Sequence, residues 1–407
     1  MHRNTSRIMK GYASSRPIVE ERWLRLGAAV GLLLLHFEAM LGLEWDIQWH
    51  ISVGRDRFWT PPHILLYTAV GLRGLLCAGI VLWETWRYRR GAGVDDGNSI
   101  AVAGVFHAPL GFVVAGFGAL VTALAAPLDD YWHQLYGIDV ALWAPFHTMG
   151  SLGGLIAGLG TVYVWAALAV QRHRTDRGAS RWSLESWGVL LASMFLVGQM
   201  RTLSSPALLQ TPTLHLAGMQ VTLYPVLLTL GIAWLLVAAN ETWPLRGAAS
   251  AVIGLVMVRD LVLQVFVPWA VRTGAAAEGL SFRSPALVPH FSFAPFVIDL
   301  GLLVCAVCAD WLAQRGRVSD HTVRGPVLRL PALRGALLGV PLYLLGVWVA
   351  CAAWSVLPQE GLPPEIPIGQ PAPLTATLLA LPVALAMGAL SGWIGGGLGQ
   401  VWRRNPR

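Results

Sequence analysis

Long apolar runs, broken by short polar and arginine-bearing segments, set the pattern of this chain. Runs near the bilayer-crossing length of about 20 residues fall at 24–43, 64–83, 100–126, 143–170, 187–203, 215–239, 248–271, 293–312, 336–357 and 374–401. Such runs have to be helical in lipid, because hydrocarbon offers backbone N–H and C=O groups no outside partner. The pattern predicts an all-α, polytopic membrane bundle of about ten transmembrane helices arranged in hairpins. Its divisions are a tail at 1–23, two helical hairpins at 24–170, a basic loop at 171–186, further transmembrane helices at 187–401 and a tail at 402–407.

Composition agrees with that pattern. The chain is 55% hydrophobic and only 13% charged, where a soluble domain carries about a quarter charged residues. A net charge of +7 raises the question of nucleic acid, but the placement of the arginines excludes it as a partner. Arg87, Arg89 and Arg90 share one connection, and Arg172, Arg174, Arg177 and Arg181 another. Arg246, then Arg315, Arg317, Arg324, Arg329 and Arg334, then Arg403, Arg404 and Arg407 follow in alternate connections. Segments 127–142 and 358–373 hold no arginine. The positive-inside rule then puts both termini in the cytoplasm of a cell (plasma or inner) membrane protein. Residues 1–23, with Arg3, Arg7, Lys10, Arg16 and Arg22, read as a retained cytoplasmic tail rather than a signal peptide. Cys77, Cys305, Cys308 and Cys351 all lie in apolar runs, so they read as small hydrophobes rather than a disulfide framework.

One stretch, 44–63, is said twice. Asp46, Trp49 and His50 return as Asp129, Trp132 and His133. Gly54 and Asp56 return as Gly137 and Asp139, and Trp59, Pro61 and His63 as Trp143, Pro145 and His147. The two hairpins are therefore tandem copies of one unit in one orientation. Charge alternation puts both motifs at the outer, extracytoplasmic helix ends. Arg55 and Arg57 break that alternation, which suggests that they serve the motif. Fainter Pro–His pairs, Pro212 with His215 and Pro289 with His290, precede the sixth and eighth runs. They lack an upstream Asp-x-x-x-His and read as ordinary helix openings.

Asp46 and His50, four apart, project from one helix face, as do Asp129 and His133. The turn of each hairpin returns His63 or His147 to the same depth. One carboxylate and two imidazoles form a donor set for Cu(II), Zn(II) or non-haem Fe(II) with positions left open. Asp56 and Asp139 are expected to orient a ligating imidazole through its other nitrogen. Trp49, Trp59, Trp132 and Trp143 are expected to wall the sites or to sit in the interfacial belt.

The run Trp49-His50-Ile-Ser-Val-Gly-Arg55-Asp56-x-x-Trp59-Thr60-Pro61-x-His63 resembles the copper-site segment of the C subunit of particulate methane and ammonia monooxygenases. The resemblance covers about residues 24–170. It implies that Asp46, His50 and His63 ligate a copper ion and form the catalytic or electron-accepting centre. The family's second site, Asn-x-x-x-His followed by Ala-Pro-Leu-His, is similar to Asp129, His133 and Ala144-Pro145-Phe146-His147, with aspartate replacing asparagine. Residues 180–407 have no counterpart in that family.

The expected function is O2-dependent hydroxylation of a small apolar substrate or of ammonia, by this chain alone or with partner subunits or further copies of itself. No flavin, haem or iron–sulfur motif is present, so electrons would come from a quinol or a partner subunit. The alternative is a non-catalytic copper-handling protein, or a scaffold subunit with structural metal. Of the remaining intramembrane polar residues, Glu38 with Arg73 and Arg259 with Asp299 suggest ion pairs, while His36 lies in the first run, His107 in the third, Asp260 in the seventh and Asp310 in the eighth. Gly150–Gly160 and Gly392–Gly399 read as close helix packing.

Overall fold

The computed structural model describes residues 15–54, 57–91, 98–137, 143–176, 182–205, 213–216, 219–242, 246–318, 330–356 and 374–403. Among these residues ten α-helices follow one another: α1 (Ser15–Ser52), α2 (Pro61–Arg89), α3 (Leu110–Tyr136), α4 (Pro145–Thr175) and α5 (Leu184–Leu203), then α6 (Tyr224–Thr242), α7 (Ala248–Ala277), α8 (Ala294–Val318), α9 (Pro331–Val356) and α10 (Leu374–Arg403). Nine of them are long and apolar enough to cross a membrane. The exception is α5, made more polar by Glu185, Gln199 and Arg201. It is an interior helix, buried along most of its length against α4 and α7, so it has little lipid to satisfy. The protein is a multi-pass membrane bundle.

Two expected helix starts fall elsewhere. Residues 99–109 form an antiparallel hairpin, β1 (Ser99–Val102) with β2 (Phe106–Pro109), pairing Val102 with Phe106 and Ser99 with Pro109. Positive φ at Ala103 and Gly104 makes the tight turn, the local chemistry that short hairpins demand. His107 therefore lies on β2, stacked on Tyr88 with ring centroids 3.9 Å apart, and not inside α3. His215 lies on β3 (Thr213–Leu216), paired with β4 (Met219–Thr222), well before α6 begins. His290 precedes the start of α8.

Small residues decide how closely α3 and α4 meet. A Cβ at Gly118 would collide with the Ala157 backbone, and one at Gly160 with the Ala115 backbone. Thr122 Oγ1 donates to the Gly150 carbonyl, 3.1 Å across the same seam. Gly392, Gly395 and Gly399 do likewise for α10, against Pro331 and Gly335 of α9, Trp234 of α6 and Glu241. Without the burial of apolar surface as a driving force in lipid, such contacts are what hold helices together.

Buried charges join the two halves of the chain. Arg259 of α7 pairs with Glu44 of α1 and, at 2.6 Å, with Asp260. Arg201 of α5 sits 3.2 Å from both Asp260 and Asp299. The expected Arg259–Asp299 pair is thus replaced by Arg201–Asp299, because α5 brings its arginine between α7 and α8. Arg73 donates to the Leu35 carbonyl, 3.1 Å, and makes no ion pair with Glu38. Asp310 accepts from the Ala249 and Ser250 amides, both 3.0 Å, and so caps α7. Cys305 is packed in the main core.

Candidate metal centre

Both halves of the repeated motif gather at one end of the bundle. The last turns of α1 and α3 carry Asp46–His50 and Asp129–His133, and the first turns of α2 and α4 carry His63 and His147. Prolines at the first two positions of α2 and the first of α4 suit this, since a missing N–H costs nothing in an opening turn. Gly54, at φ +68°, takes the chain out of α1 where a side chain would also strike Arg283.

In the first site, Asp46 Oδ1 lies 3.1 Å from His63 Nε2 and 3.6 Å from His50 Nδ1. In the second, Asp129 Oδ2 lies 3.2 Å from His147 Nε2 and 3.5 Å from His133 Nε2. Each trio has ligand atoms within 4.8 Å of one another. The rings of His50 and His133 stand 6.0 Å apart, so the two trios face each other as one paired centre.

Backbone carbonyls set the imidazole tautomers. His50 Nδ1 donates to the Asp46 carbonyl at 2.9 Å, His63 Nδ1 to that of Arg57 at 3.1 Å, and His133 Nδ1 to that of Gly137 at 3.1 Å. A carbonyl can only accept, so each Nδ1 carries the proton and each neutral ring presents the Nε2 lone pair. The His63 Nε2 lone pair then faces an Asp46 oxygen, acceptor against acceptor, at 3.1 Å. Such a pair repels unless a proton or a metal cation lies between the atoms. Asp46 Oδ1, Asp129 Oδ1 and His133 Nε2 are buried without a hydrogen bond, which native interiors rarely tolerate. The residues present therefore fit a divalent, N/O-preferring metal at each trio, with the carbonyl bonds as orienting supports.

A cavity of about 190 Å³ runs inward from the two trios between α1, α2, α3, α4, α5 and α7. Its walls are mostly apolar, with Leu43, Val70, Ala125 and Phe195 among them. The four expected tryptophans do not line it. Trp49 is fully buried but turned toward Leu263, Val267 and Val271 of α7. Trp59 and Trp143 are exposed, as suits an interfacial belt. Trp132 packs on Tyr136 and Phe146. The aromatic neighbours at the site are instead Phe146 and Tyr67, the latter stacked on His63 at 5.0 Å. Tyr67 stands one turn after His63, so helical spacing alone was enough to find it. Glu44, Arg201 and Thr202 left no such signal, because their partners lie more than 150 residues away or on other helices. Of the residues expected to break the charge pattern, Arg57 serves through its backbone carbonyl. Arg55, Asp56 and Asp139 lie outside the described residues.

Comparison with family models, curated proteins and solved structures finds no match to this chain.

Proposed function

We propose that the protein is a copper-dependent membrane oxygenase, or the metal-bearing subunit of one, acting on a small apolar substrate or on ammonia. The observation that carries this reading is the repeated tautomer lock. In both trios a backbone carbonyl holds Nδ1–H, and Nε2 is turned onto a carboxylate oxygen it cannot hydrogen-bond in its neutral form. The two-imidazole, one-carboxylate set favours copper by the resemblance of 24–170 to the monooxygenase C subunit, and zinc and iron remain chemically compatible with it.

Asp46, His50 and His63 would hold one ion, and Asp129, His133 and His147 the other. Bound copper would supply one-electron chemistry with O2. The chain's own part is to orient the imidazoles, to keep bulk water from a largely apolar cavity, and to admit an apolar substrate from the lipid. The Glu44–Arg259 pair fixes the turn of α1 that carries Asp46, acting on position rather than on chemistry. Electrons would come from a quinol or a partner subunit. The centre would face the extracytoplasmic side.

Metal analysis of purified protein tests the assignment. Copper should exceed iron and zinc and fall in His50→Ala and in His133→Ala; unchanged metal in both variants overturns the site. Hydroxylated product from a short alkane or ammonia, formed with reductant and O2, separates an oxygenase from a metal-handling protein. A reporter fused after residue 135 should read as extracytoplasmic, and a cytoplasmic signal would reverse the orientation.

A further inference from the structure

The inner end of the cavity is polar, although nothing in the metal centre requires it. His36 of α1 is 7% exposed and Arg73 of α2 is 3% exposed, and both line the cavity. Ten residues of helix, roughly 15 Å at the α-helical rise, separate His36 from Asp46. Along α1 the wall between them is apolar, with Ala39, Met40 and Leu43 facing in.

Both polar side chains are incompletely satisfied. Arg73 donates one Nη2 bond to the Leu35 carbonyl, its Nε has no hydrogen-bond partner, and no carboxylate pairs with it among the described residues. An unpaired guanidinium inside a membrane bundle is costly and marks function more often than packing. His36 Nδ1 donates to the Leu32 carbonyl at 3.2 Å, which leaves Nε2 of the neutral ring as an acceptor without a partner. Phe195 stacks on the same ring, 5.9 Å between centroids, and holds its plane.

A donor and an acceptor deep in a mostly apolar cavity suit a hydroxyl group. Its O–H can donate to His36 Nε2 while its oxygen accepts from Arg73 Nε–H. A carboxylate offers acceptors only and leaves His36 unmet, and a plain hydrocarbon leaves both unmet. We propose that His36 and Arg73 form a hydroxyl-binding subsite, which seats an apolar molecule by its hydroxyl end and lays its other end against the Asp46–His147 cluster. The orientation rests on reading that cluster as the metal centre. Two sources share this chemistry, an amphipathic alcohol presented for oxidation at its far end and a quinol presented as reductant.

The test uses the full-length, metal-loaded chain in lipid nanodiscs. Decanol, decane, decanoate and decylubiquinol are compared by ligand-induced thermal stabilisation, with metal content measured in the same samples. Decanol or decylubiquinol should bind roughly tenfold or more tightly than decane, the value of a hydrogen bond to a charged group. Whichever of the two binds better identifies the source. His36→Leu and Arg73→Met should abolish the preference while keeping the metal, and Arg73→Met should leave the ligand-free protein at least as stable as the parent. His36→Leu removes the unpartnered Nε2 together with one bond to a carbonyl of its own helix, and decides the matter if Arg73→Met does not fold. Equal binding of decane, or a preference that survives in His36→Leu, overturns the subsite. A parent chain that holds no metal would instead overturn the oxygenase reading, and the hydroxyl preference would be read independently of it.

Discussion

The two Asp–His–His trios share one grammar and differ in shelter. In the first, the side chains of Asp46, His50 and His63 are 16%, 6% and 8% exposed. In the second, His133 at 6% matches His50, while Asp129 and His147 reach 20% and 22%. The reason is what stands behind each. Trp49 on the first motif is buried against α7, the Ser52 carbonyl accepts from the Arg283 amide at 2.9 Å, and Glu44 is held by Arg259 and Thr202. Trp132, the corresponding residue of the second motif, packs on Tyr136 and Phe146 of its own hairpin. α7, which the resemblance to the C subunit does not reach, therefore backs the first motif directly, whereas α5 meets the second hairpin along α4. Identical ligands do not make identical sites, because burial controls water access and the dielectric around the ion.

The sharpest way to break this comparison is to remove one carboxylate at a time. Asp46→Ala and Asp129→Ala should each lose about half of the bound metal, and the ion left in Asp46→Ala should be the one a chelator extracts faster. Metal stoichiometry after timed chelation checks this; loss of all metal from either single variant would show one shared site instead of two. Next in size is the bridge behind the first site. Arg259→Met leaves Glu44 and Asp260 short of a partner in the interior, at a cost of about 3–5 kcal/mol, seen as a lower unfolding temperature. The metal of the first site should then exchange faster while that of the second does not change. Gly118→Val acts on the other side, forcing α3 from α4 for about 1–3 kcal/mol and loosening the Asp129 site alone. Smallest of all, Trp59→Ala should change stability by no more than about 0.5 kcal/mol and leave metal content as it was, since that ring is exposed. A large metal loss there would return Trp59 to the site wall.

The helices were legible because membrane spans announce themselves in local composition, and each apolar run needs no distant partner to be helical. The exceptions were local too: Ala103 and Gly104 turn a stretch that hydropathy alone assigns to α3. The grouping of Asp46 with His50 was legible for the same reason, since a four-residue spacing fixes a shared face. That the His50 and His133 rings lie 6.0 Å apart was not, because it depends on how closely two hairpins pack.

By itself, then, the sequence determined a multi-pass helical protein and two His–Asp trios at hairpin ends, through periodicity, charge and an internal repeat. Tertiary structure alone decided that the trios form one centre, that Arg201 and not Arg259 meets Asp299, and that His36 and Arg73 share the inner end of its cavity. Those facts rest on contacts between residues far apart in the chain, and the close approach of helices that makes them is set by small residues and buried charges acting together, which no local window contains.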